Sequence, residues 1–252
     1  MSSIAISGVV FACLFVAALM AMLVKRALPE HHLNADSKDV VKMGMGFIAT
    51  LAALVLGLLI ATAKGTYDAQ STTVKEFSAN IIMLDRVLNQ YGPETKKARE
   101  LLHSAAQATL ERIWPEGAGA ANLTPGESRA ALESLYDNIA QLVPQSDGQR
   151  ALKARALDLL AEQVRARLRM FAQQDSSLPL PFLVVLVFWL VILFAGYGLL
   201  APPNATVIAV LVVCELSISG AIFLMLELAT PFAGIMRLSS GPLRDAIHLI
   251  GM

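Results

Sequence analysis

The sequence predicts an all-α integral membrane protein, with four transmembrane helices and a helical bundle inserted between the second and third. Three observations carry this. Apolar residues make up 56% of the chain and gather into four runs rather than spreading evenly. Each run holds about 20 or more mostly apolar residues, enough to cross a bilayer core. Between the second and third runs, residues 65–178 are polar and place apolar side chains three and four apart, as amphipathic helices do.

The first run, Ile4 to Val24, is read as a retained helix rather than a cleaved signal. Residues 1–10 carry no basic side chain, and Lys25-Arg26 follows the run as a flanking anchor does. The second run, Val40 to Ala63, ends at Lys64, whose stem can snorkel to the interface. No proline separates it from the apolar stripe that begins at Val74, so this helix is expected to continue out of the membrane, with Gly65 as a candidate hinge. The third run, Leu180 to Leu200, opens with Pro179 and Pro181, tolerated in a first turn that lacks intrahelical partners. The fourth is Asn204 to Thr230. The short link Ala201-Pro202-Pro203-Asn204 forces the last two into an antiparallel hairpin.

Four helices are expected in the insert. Val74, Phe77, Ile81, Leu84, Leu88 and Tyr91 mark one apolar stripe, and Gly92-Pro93 ends it. The next helix carries Leu101, Leu102, Ala105, Ala108 and Ile113. A Gly- and Ala-rich loop, 115–123, leads to the capping box Thr124-Pro125-Gly126-Glu127. Leu132, Leu135, Ile139 and Leu142 then mark a third helix, and Leu152, Leu160, Val164, Leu168 and Phe171 a fourth. The expected organisation is thus 1–64 for the first two spans and their loop, 65–178 for the insert, 179–232 for the hairpin and 233–252 for an amphipathic tail. In the tail, Pro231 ends the fourth span, Leu243, Ile247 and Ile250 form an apolar side, and Arg237 and Arg244 sit at headgroup level. The tail reads as a surface anchor or as a collar around a pore mouth.

A formal net charge of zero gives no electrostatic footprint for nucleic acid. Cys13 and Cys214 both fall inside spans and read as apolar fillers. No phosphate-cradling loop, nucleophile elbow or Cys/His metal spacing appears, so neither an enzyme nor a cofactor or metal is expected. His31-His32 with Asp36 and Asp39 is the nearest approach to a metal cluster, and a short polar loop collects such residues by chance. Basic residues near span ends set orientation. Arg165, Arg167 and Arg169 before the third span, with Lys64, Lys75, Arg237 and Arg244, outnumber Lys25, Arg26, Lys38 and Lys42 on the other side. Both termini and the insert are therefore expected in the cytoplasm.

Two features suggest a polar pathway. Glu215 lies mid-span, where an acid costs about 2.5–3.5 kcal/mol on the insertion scale. Such residues mark ion or proton paths, or bond helices together. Glu227 follows 12 residues later (227 − 215), which puts it about 120° away around the helix. It is read as a pathway residue or as a solvated or Arg-paired end residue. The second feature is a stripe of small residues on the second span: Gly46, Thr50, Ala53, Gly57 and Ala61. A small face lets another backbone approach, or leaves room for a solute around an oligomer's axis.

Residues 44–70, GMGFIATLAALVLGLLIATAKGTYDAQ, and residues 228–247, LATPFAGIMRLSSGPLRDAI, carry a family resemblance. With the four spans and the helical insert, the chain resembles the bacterial bestrophin-like domain family, named after the pentameric bestrophin anion channels. The resemblance implies a homo-oligomer, pentameric by analogy, in a lipid bilayer, with a central ion path and a cytoplasmic helical portion. The bestrophins' aromatic neck and acidic calcium clasp find no match in these residues, so the resemblance brings neither anion selectivity nor calcium gating. The function expected is an ion channel or channel-like protein of the bacterial inner membrane. A non-conducting scaffold or sensor whose insert recruits a partner is the alternative, and a proton-coupled transporter comes third.

Overall fold

The computed structural model describes residues 2–27, 35–115, 125–172, 180–232 and 234–250. All its regular elements are helices: α1 (Ser3–Ala27), α2 (Ala35–Tyr91), α3 (Lys96–Ile113), α4 (Pro125–Ala140), α5 (Asp147–Ala172), α6 (Leu180–Leu200), α7 (Ala205–Leu228) and α8 (Gly241–Ile250). Four of them, α1, α2, α6 and α7, are long and apolar enough to cross a membrane. The chain divides into two compact units: Met1–Tyr67 with Ser177–Arg237, and Asp68–Ser176 with Leu238–Met252. His31, His32, Thr124 and Pro179 lie outside the described residues, as does most of the Gly- and Ala-rich loop. The side chains of Asp36, Gly126 and Glu127 are not described either.

In the first unit, α1 packs along α6 and α7. Val10, Leu14, Ala18, Met45, Leu190 and Ile222 belong to one buried apolar cluster drawn from all four long helices. Two α6 glycines allow the close approach. A Cβ at Gly198 would run into the backbone carbonyl of Ala18, and one at Gly196 would strike the Met45 side chain. Lys25 Nζ, near the end of α1, donates to the carbonyls of Leu200 at 3.3 Å and Ala201 at 2.9 Å. That places a cation on the unpaired carbonyls at the C-terminus of α6. Asn204 caps α7, its side-chain oxygen accepting from the Val207 N–H at 2.8 Å.

In the second unit, the α2 stripe is buried where its spacing predicts: Val74, Phe77, Ile81, Leu84, Leu88 and Tyr91. The helix runs through Gly65 unbroken. It ends at Gly92, whose φ of 137° favours glycine. The Thr95 hydroxyl then donates to the Leu88 carbonyl at 2.6 Å and holds the turn. Arg99 clasps Asp85 through Nε at 2.7 Å and Nη2 at 3.1 Å, and this hydrogen-bonded pairing raises the guanidinium above its ordinary value. Leu135 and Ile139 of α4 are fully buried. On α5 the core side differs from expectation. Ala156, Leu159, Leu160, Gln163, Ala166 and Arg167 are buried, while Val164 and Leu168 are exposed. The run offers two overlapping apolar stripes, and packing selects the one through Leu159.

The tail also differs from expectation. Leu243, Ala246 and Ile250 are buried, and α8 packs against α3. Trp114 Nε1 donates to the Leu238 carbonyl at 2.8 Å just ahead of α8. The apolar side that suggested a membrane anchor is covered by protein.

Candidate functional site

The small-residue stripe of α2 faces outward. Gly46, Thr50, Ala53, Gly57, Ala61 and Lys64 are all exposed, whereas Met45, Ala52, Leu59 and Ala63 on the other side of the helix are buried. A Cβ at Gly46 or Gly57 would meet no atom within 4 Å. The Thr50 hydroxyl turns back on its own helix, donating to the Gly46 carbonyl at 2.9 Å. Thr62 and Thr66 bond the carbonyls of Leu58 and Thr62 likewise, at 2.9 and 3.1 Å. Of these hydroxyls only that of Thr50 lies on the stripe, since Thr62 and Thr66 stand about 120° and 160° further round the helix. Its bond uses the proton and leaves an oxygen lone pair on an otherwise apolar face. At its end, Lys64 Nζ lies 5.6 Å from the Tyr67 ring centre, within cation–π range.

The two acids of α7 are both buried, although helical geometry separates them around the axis. Glu215 is fully buried, and neither of its carboxylate oxygens has a hydrogen-bond partner. One turn on, the buried Ser219 hydroxyl is unpartnered as well. Ser217, by contrast, donates to the Val213 carbonyl at 2.7 Å. Glu227 has a different environment. Its Oε2 accepts from the backbone N–H of Ile235 at 2.6 Å and of Met236 at 3.1 Å, and the Ser3 side chain bonds to it too. The turn depends on Gly234, which has φ of 81° and stands so near that a Cβ would lie 2.5 Å from Glu227 Oε2. Glu227 is thus neither solvated nor arginine-paired. It closes the turn after α7, where Pro231 is buried.

The candidates therefore do not converge within one chain. The α2 stripe is exposed, Glu215 is enclosed, and Glu227 is tied to backbone. Arg237 is exposed beyond the turn, and Arg244 is partly buried on α8. Cys13 and Cys214 are free and exposed. Among the described residues, no group of three or more His, Cys, Asp or Glu is arranged to hold a metal ion. Residue spacing gave no sign of the Glu227–Gly234 contact, though a Gly seven residues after a buried Glu is its trace in the sequence.

The Bestrophin-like domain profile matches residues 12–243 of this chain, from the first turns of α1 into α8. The chain belongs to the bestrophin-like family. Its fold is that of solved structures of a bacterial bestrophin homologue from Klebsiella pneumoniae. One such structure is 13% identical with a TM-score of 0.74, covering 97% of this chain and 97% of the other. A second is 14% identical at 0.72, covering 96% and 97%, and a third 15% identical at 0.72, covering 100% and 99%. No curated protein matches the chain. This bestrophin-like chain keeps the fold over its whole length while sharing few residues with those structures, so the site must be argued from its own side chains.

Proposed function

We propose that this chain assembles into a homo-oligomeric ion channel of the bacterial inner membrane, with the outward face of α2 lining or approaching a central path. The observation that carries this reading is the open space over Gly57. In a helix that packs its opposite side through Met45, Ala52 and Leu59, small residues on the free side leave room that larger ones would fill. Membership of the bestrophin-like family supports the same assignment. Both termini and the second unit are assigned to the cytoplasm from the basic residues near the span ends. Glu215 acts from inside the bundle, tuning the path through its buried charge, rather than from the lining itself.

Ion flux through the purified protein in liposomes tests this, with potassium and chloride gradients applied separately. The expected result is flux above empty liposomes in one of the two. No flux under varied pH, calcium and voltage would contradict it. That outcome would favour a scaffold, for which the α4–α5 surface offers one supporting feature: a cavity of 500 Å³ beside the exposed Tyr136 and Val164.

A further inference from the structure

At one end of the first unit, the start of α2, the last turn of α6 and the first turns of α7 border an open cavity of 540 Å³. That volume lies within the range of small-molecule sites, about 300–1,000 Å³. Its walls are mostly apolar, with Met45, Gly46, Leu200, Val210 and Leu211 among them, Gly46 being the member of the α2 stripe that borders it. Polar side chains are few: Lys42 of α2, Tyr197 in the last turn of α6, and Thr206 just after the α7 cap. Lys38 lies one turn before Lys42 and shares its side of α2. Lys25 is held at the end of α6 by the carbonyls of Leu200 and Ala201. Among the described residues Lys42 pairs with Asp39, at 3.2 Å, and both side chains are mostly exposed. Such a pair exchanges readily for a stronger anion.

We infer that this cavity binds one anionic phospholipid, its acyl chain along the apolar wall and its phosphate at Lys42 and Lys38. An apolar slot that opens beside a span is filled by lipid tails in a bilayer. Lysines at its mouth, at headgroup level, supply the charge complementarity that selects an anionic head over a zwitterionic one. The inference does not depend on whether the assembly conducts.

Native mass spectrometry of the full chain decides it, after exchange into micelles holding phosphatidylglycerol or phosphatidylcholine with the same acyl chains. Retention of one phosphatidylglycerol per chain is expected, about fivefold above phosphatidylcholine, with the preference abolished by Lys42→Glu. Lys42 is exposed, so this substitution leaves the fold intact. Val210→Trp, which fills the slot, should remove both lipids without changing the oligomer mass. Equal retention of the two lipids, or an unaltered preference in Lys42→Glu, would overturn the inference. A changed oligomer mass in Val210→Trp would do so too, by assigning the slot to a second copy of the chain.

Discussion

Glu215 and Glu227 are buried carboxylates of the same helix with opposite chemistry around them. Glu227 accepts two backbone N–H bonds, so its charge is held by fixed donors. Glu227→Ala should lower stability by about 1–3 kcal/mol, read as a fall in the melting temperature in detergent. No change would mean that the turn after α7 does not need the carboxylate. Glu215 has no such partner among the described residues. Its replacement by Met, similar in volume and free of a charge to desolvate, should raise stability by about 1–3 kcal/mol in the same assay. A fall instead would show that the carboxylate is bonded inside the bundle of the folded protein. Reading the sequence singles out both acids by their depth in an apolar run. It cannot separate them, because the donors to Glu227 come from backbone, which is identical at every residue.

At the scale of the helix, small residues do two different jobs. Gly198 permits α1 and α6 to touch backbone to backbone, while Gly57 stands in open space. Gly198→Val should cost at least about 3 kcal/mol, because the obstacle is main chain and cannot rotate away. Gly57→Ala should leave stability unchanged or raise it by up to about 1 kcal/mol, the helix-propensity difference between the two residues. Thermal melting of both variants side by side checks this. A loss at Gly57 as large as at Gly198 would make the α2 stripe a packing seam. The stripe on α2 was legible in the sequence because it repeats five times at helical spacing. Gly196 and Gly198 were not, since two glycines in a uniformly apolar helix have no polar face to orient them. The α5 register was missed for a related reason: Val164 and Leu168 are as apolar as Leu159 and Leu160, and only the packed neighbours choose between them.

For the whole molecule, the four helices long and apolar enough to cross a membrane, and the helical character of the residues between the second and third, follow from the length and spacing of the apolar runs alone. The partition of the tail did not. Leu243 and Ile250 read equally well as facing lipid or protein, and the contact of α8 with α3 joins segments far apart in sequence. An ion path is further from reach, because the surface proposed to line it is complete only when several chains meet. The most direct test labels that surface during conduction. In a chain with Cys13 and Cys214 replaced by Ser, Gly57→Cys places one thiol on the free face of α2, and Leu59→Cys places one on the buried face. A charged, membrane-impermeant thiol reagent added to conducting liposomes should suppress flux through the Gly57→Cys protein and spare the Leu59→Cys protein. Flux that persists after complete labelling at residue 57, confirmed by the mass of the protein, would contradict a path along α2.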